Sequence, residues 1–369
     1  MTLSPLDDYP VHQVAQVIRH PATSDRNFYD RYYFNCHPCS DRMMLIIGLG
    51  QYPNLGVTDA FALARHGDTH RVVRASRELG ADRMDTAVGP FRVQVIEGLK
   101  TLRVVLEPNP HGLEFDLTWH GAIPAQLEPR HVMRAQERVI LDSARLAQTG
   151  RWTGHIRSGD EEFEVTPDTW WGSRDRSWGV RPVGEGEPPG IQVRNPAQFY
   201  WMYAPMQFEE FSILAIVQED GAGRRILEEA VRVWPESSGR PPEQLGRPEY
   251  RPRYAPGSRD VVAATILFRP PGGSPIEVTV APLHPVSLMV GTGYGLEPDW
   301  RHGMYQGPDL VVQGACYDLG DAADRARMWG MVDSVAAFQC ASDDVTVTGY
   351  GLFEYWTLGE HAPTGLTAG

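Results

Sequence analysis

Short segments in which apolar and polar residues alternate, each closed off by glycine or proline, recur along the whole chain. In Leu113-Glu114-Phe115-Asp116-Leu117-Thr118-Trp119-His120 every odd position is apolar. A period of two marks a strand with one buried face. Phe91 to Val95, Asp160 to Thr166 around Phe163 and Val165, and Ile276 to Val280 repeat the pattern. Met43 to Ile47 and Phe211 to Val217 are short apolar runs that fit strands buried on both faces. Turn signals such as Pro53-Asn54, His66-Gly67-Asp68 and Asn109-Pro110-His111-Gly112 lie between them. Asp59 to His66 and Val139 to Gln148 are the two stretches that read as short helices. Without regular strand–helix alternation a doubly wound α/β fold is excluded. The expectation is an all-β chain of antiparallel barrels or sandwiches.

Charge and punctuation narrow the organisation. Lys and Arg number 34 against 47 Asp and Glu, a net charge of −13. Nucleic-acid binding needs a clustered basic surface, and anionic lipid needs the same, so neither partner fits. Lys100 is the only lysine. It falls in Gly98 to Leu102, a turn between two strands, which sets aside Schiff-base and P-loop chemistry. The N-terminus has no basic and apolar leader, and Met43 to Leu49 is far too short to span a membrane. A soluble, cytoplasmic protein without a membrane span is expected. The four cysteines do not form a disulfide scaffold. Val183 to Gln192, rich in Gly, Pro and Glu, reads as a connector between two β domains, 1–185 and 190–369. Pro235 to Pro256 reads as a long loop in the second.

The densest unusual segment precedes that connector. It runs Trp170-Trp171-Gly172-Ser173-Arg174-Asp175-Arg176-Ser177-Trp178-Gly179-Val180-Arg181-Pro182. In an extended chain Trp171, Ser173, Asp175 and Ser177 share one face, and Trp170, Arg174, Arg176 and Trp178 the other. A segment flanked by two strand-rich halves sits where ligand pockets often form. The structural alternative is a set of Trp plugs with an Arg–Asp tether.

This run resembles the Asp-x-x-Trp-Gly hallmark of the carotenoid 1,2-hydratase/AttH-like superfamily. The resemblance extends to Tyr32-Tyr33-Phe34-Asn35 with the strand after it, to Gln148-Thr149-Gly150-Arg151-Trp152-Thr153-Gly154, and to Trp300-Arg301-His302-Gly303 and Gly349 to Tyr355. It is closest to a bacterial branch distinct from the carotenoid enzymes. It implies two tandem lipocalin-like antiparallel β-barrels. It also implies a cofactor-independent hydratase, isomerase or cyclase acting by proton transfer on a hydrophobic, terpenoid-like or polyketide-like molecule. A non-catalytic carrier of such a molecule is the alternative, and a purely structural protein with filled barrels is a third reading.

Hydrating an isolated alkene needs a proton donor, a group that stabilises the cation, and water. A protonated carboxyl in an apolar pocket supplies the first, and aromatic faces the second. Asp175 is the candidate proton-transfer residue, with Trp171, Trp178 and Tyr355 as the aromatic wall and Arg174 orienting the carboxylate or a substrate oxygen. If an arginine pairs with Asp175 the group stays ionised; if the arginines point away, burial keeps it protonated. Glu354, between aromatics in the strand Tyr350 to Trp356, is the second carboxylate. Tyr33 and Asn35 share a face and are candidates for binding a substrate oxygen. His302 is the candidate proton relay. Cys36-His37-Pro38-Cys39 has Cys-x-x-Cys spacing but the setting of a hairpin turn, and a zinc site would need two further ligands. No metal and no cofactor is expected, since Gly291 to Gly295 and Gly48 to Gly50 fail the dinucleotide fingerprint.

Overall fold

The structure is a computed structural model that describes residues 3–10, 17, 19–135, 137–182, 198–295, 297–342 and 345–367. The Val183 to Gln192 connector lies outside the described residues. Alternation produces what it requires. Antiparallel strand is the dominant structure of the described chain, divided between a 14-stranded and a 9-stranded sheet. In the first, Thr69–Glu78, Val57–His66, Met43–Tyr52, Phe28–Cys36, Trp171–Val180, Arg138–Ser158 and Leu113–Gly121 are successive neighbours. In the second the central order is Ser212–Asp220, Phe199–Gln207, Val345–Leu358, Val332–Ser342, Ile276–Ser287. These are two curled, lipocalin-like antiparallel sheets in tandem.

Each sheet curls around its own apolar core, and the two pack against one another. Phe34, Trp119, Trp152 and Phe163 fill the first interior. Phe338, Phe353, Tyr355 and Met202 fill the second. A third apolar layer, with Phe61, Leu63, Ile216, Val286 and Leu352, lies at the seam between the sheets. Each seam strand thus buries both faces, the condition that makes a strand read as a continuous apolar run.

This explains two departures from the sequence reading. Asp59 to His66 and Val139 to Gln148 are not helices but parts of the strands Val57–His66 and Arg138–Ser158. In the first, Ala60, Ala62 and Ala64 face the barrel while Phe61 and Leu63 face the seam, so the period of two is hidden. Pro235 to Pro256 is likewise more than a loop. It holds the short strands Glu243–Gln244 and Glu249–Tyr254. The second is the outermost strand of its sheet, the place where Pro252 is tolerated.

The halves are also joined by an exchanged strand. Val311–Asp318 leaves the second half and pairs with Thr69–Glu78 of the first sheet, with Val312 opposite Ala75 and Tyr317 opposite His70. The chain on its way there is anchored. Gly303 N–H donates to Asp59 Oδ2 at 2.7 Å, and Arg74 pairs with Asp299 at 2.8 Å while stacking on Trp300. Among the described residues no helix is long and apolar enough to cross a membrane.

Candidate active site at the seam of the two sheets

The site begins with the strand Trp171–Val180, flanked by Phe28–Cys36 and Arg138–Ser158. Alternation sends Arg174 and Arg176 into the first barrel and Asp175 and Ser177 to the seam. Arg174 forms a buried ion pair with Asp8 through both Nη atoms, and its Nε donates to Gln148 Oε1 at 2.9 Å. Arg176 pairs with Asp30, which also takes Arg83 at 3.0 Å. On the seam face, register sets Tyr33 opposite Asp175. In the second sheet, register sets Tyr203 and Asp333 on either side of Glu354. The two rows meet across the seam, where the Tyr33 hydroxyl donates to Asp333 Oδ2. Beside them lies a cavity of about 430 Å³, lined by Asp175, Glu354, Arg145, Arg181, Trp201 and Tyr294 among others. That is the size range of small-molecule sites.

Electrostatics follow from this enclosure. Burial raises the Asp175 carboxyl above its ordinary range, and Arg145, Arg181, Arg31 and Arg176 pull it back. Its free surface faces the cavity, and among the described residues no guanidinium forms an ion pair with it. Glu354 and Asp333 face one another as a hydrogen-bonded carboxyl pair. Burial and mutual repulsion hold Asp333 well above the ordinary range, and burial raises Glu354 as well. Among the described residues no donor is aimed at Asp333 Oδ1, the setting in which a coupled acid pair holds on to a proton. The Trp201 indole N–H donates to Glu354 Oε1. Glu128, 2.5 Å from Arg145 Nε, is pushed up to about 7 by burial against the pull of that arginine. Arg145 also stacks on Tyr203, whose buried hydroxyl has no hydrogen-bond partner among the described residues. Such a cavity can hold protons next to apolar surface and offer aromatic faces to a developing cation.

Asp175, Glu354 and Tyr33 are brought together as a seam cluster; the other candidates are not. Arg174 points into the first barrel and is spent on Asp8, so it cannot orient Asp175. Trp171 lies elsewhere along the seam, under Arg151 at 4.9 Å and edge-on to Tyr350. Trp178 has the parity of Arg174 and Arg176 and does not line the cavity. Tyr355 is adjacent to Glu354 in a strand and therefore faces the second barrel core. The aromatic lining is instead Tyr29, Tyr33, Phe199, Trp201, Tyr294 and Trp356. Asn35 is used internally: its Nδ2 donates to Ser173 Oγ at 2.7 Å, and its Oδ1 accepts from Ser173 N–H at 3.0 Å.

His302 is buried outside the cavity lining. Burial and the neighbouring Arg31 and Arg181 hold it neutral, and both ring nitrogens are engaged, with Thr292 O at 3.1 Å and Arg181 Nη2 at 3.2 Å. The Cys36 and Cys39 thiols sit where the first hairpin turns, free and pushed upward by burial.

Asp333, Arg145, Glu128, Arg181 and Trp201 escaped the sequence reading. One signal for Asp333 is local: a lone acid in Val332-Asp333-Ser334-Val335, on the same face as an apolar residue. The others become visible only when strands far apart in sequence are paired.

Over residues 3–367 the chain matches the model of a family of unknown function, DUF8625. It belongs to that family. No curated protein matches the sequence. Solved structures share its fold. An AttH-assigned protein from Nitrosomonas europaea superimposes with a TM-score of 0.53 at 13% identity, covering 91% of this chain and 94% of the other. CghA, solved with Sch210972, gives 0.51 at 11% identity over 95% and 96%. Kievitone hydratase from Nectria haematococca gives 0.48 at 12% identity over 89% and 88%. The fold of these structures, two tandem lipocalin-like sheets, is thus present in this DUF8625 member along nearly its whole length.

Proposed function

We propose that the protein is a cofactor-independent enzyme that transfers a proton to or from a hydrophobic substrate held in the seam cavity. The reaction is of hydratase, isomerase or cyclase type, and the substrate is terpenoid-like or polyketide-like. One observation carries this reading: carboxyl groups whose proton affinity is raised by burial face an otherwise largely apolar cavity of ligand size. Asp175, which no guanidinium neutralises by contact, is the proton-transfer residue. Glu354 presents the proton it shares with Asp333. When that pair gives up a proton, the Tyr33 hydroxyl stabilises the charge left on Asp333. The rings of Trp201, Trp356 and Tyr294 face a substrate in which positive charge develops.

The test is Asp175→Asn, assayed with the apolar molecule identified by mass spectrometry after copurification with the native protein. Ligand binding is retained, and turnover falls by roughly 10²–10⁴, the usual effect of removing an acid–base group. Unchanged binding together with unchanged turnover makes Asp175 structural and favours the carrier.

A further inference from the structure

The arginines that line the cavity differ in how their charge is met. Arg145 is paired with Glu128 at 2.5 Å. Arg31 lies 3.4 Å from Asp59 and donates to the Tyr52 hydroxyl. Arg181 has no carboxylate in ion-pair contact among the described residues. Its guanidinium stacks on Tyr29 at 4.5 Å and Tyr294 at 5.4 Å, and its Nη2 meets His302 Nδ1 at 3.2 Å. Asp175 feels its field but does not touch it.

His302 explains how that guanidinium is held. The neutral ring carries its hydrogen on Nε2, which donates to the Thr292 carbonyl at 3.1 Å. Nδ1 is then left as an acceptor for Arg181. The imidazole aims the guanidinium without neutralising it, and the two tyrosine faces fix its plane. A guanidinium has five N–H donors in a planar fork, and the His302 contact uses one. Among the described residues no other side-chain hydrogen bond engages those donors, and with the unpartnered Arg31 Nη2 on the same wall their natural partner is an anionic oxygen.

We propose that Arg181 is the seat of an anionic oxygen on the ligand, and that the substrates are hydrophobic molecules carrying one acidic oxygen: a carboxylate, an enolate or a phenolate. The acidic end docks between Tyr29 and Tyr294, and the apolar body extends toward Asp175 and Glu354. This rests on the seam cavity being the ligand site, as proposed above.

Two fluorescent probes test it on the full chain. 1-Anilinonaphthalene-8-sulfonate and N-phenyl-1-naphthylamine share their ring system, and only the first is anionic. The chain's net charge of −13 disfavours an anion in general, so a preference for the sulfonate must arise locally. The native protein binds the anion at least ~10-fold more tightly than the neutral probe, the scale of one hydrogen bond to a charged group. Arg181→Met removes that preference and leaves the neutral probe's affinity unchanged.

If the variant does not fold, the native protein still decides the matter. Decanoate displaces the neutral probe at a concentration roughly tenfold below that of decan-1-ol. Equal affinity for the two probes, or equal displacement by acid and alcohol, overturns the anion seat while the cavity stands. Failure of both probes to bind the native protein overturns the cavity reading, and the seat falls with it.

Discussion

Arg174, Asp175 and Arg176 are consecutive, yet they belong to two different kinds of interior. On the inward face of their strand each guanidinium finds a carboxylate: Asp8 for Arg174, and Asp30 for Arg176 with Arg83 beside it. On the seam face Asp175 has no ion-pair contact among the described residues, and Glu354 meets another acid, Asp333. Buried charges that are matched tie an N-terminal turn and a strand into the barrel. Buried acids that are unmatched cost stability and persist where they are used. Parity along one strand therefore separates scaffold from chemistry within a span of three residues.

The comparison can be broken by experiment, beginning with the largest effect. Asp175→Asn lowers turnover by roughly 10²–10⁴ and leaves the urea midpoint at or above that of the native chain, because an unmatched acid is removed. Arg174→Met does the reverse. It leaves Asp8 buried without its partner and costs about 3–5 kcal/mol, read by urea unfolding. Loss of stability in the first variant, or none in the second, would erase the distinction between the two faces.

Glu128 sharpens the distinction through pH. The native state holds its carboxyl proton up to about 7, whereas the ordinary value is 4.5. Between those values the unfolded chain has released a proton that the native protein retains. Stability therefore falls as pH rises from 4.5 to 7, by up to about 3 kcal/mol from this group. Glu128→Gln flattens that part of the unfolding profile; a profile identical to the native one places the Glu128 proton elsewhere.

Tyr33→Phe removes a donor that lowers the proton affinity of Asp333. The acid pair then holds its proton more firmly, the pH profile of turnover moves upward, and the rate drops by about tenfold. The smallest effect belongs to Tyr355→Phe. Its ring faces the second barrel core, so turnover stays within about twofold, the range of changes remote from a site. A large loss there would contradict the parity of the Val345–Leu358 strand.

What the sequence discloses is local period, and the fold follows from it wherever one face is polar. It fails in Asp59 to His66, because that strand is apolar on both sides. The hallmark segment was readable because its charged residues alternate cleanly, so Asp175 and the opposing arginines separate before any strand is paired. The same rule separates Tyr355 from Glu354, since adjacent strand residues face opposite ways. Asp333 carries a weak signature, and its partner Tyr33 is 300 positions away. His302 stood out by its neighbours in sequence, but its role depends on Arg181 and Thr292, which only the folded chain brings to its two nitrogens.

The exchanged strand Val311–Asp318 has a consequence for how the molecule is made. A ribosome that has finished the first half has not yet supplied the strand that covers the edge of Thr69–Glu78. That edge waits, with open hydrogen-bonding groups, until the ribosome has passed Asp318. The seam cavity, whose lining reaches Trp356, can close only after synthesis has passed that residue, well after the first sheet's other strands have been made.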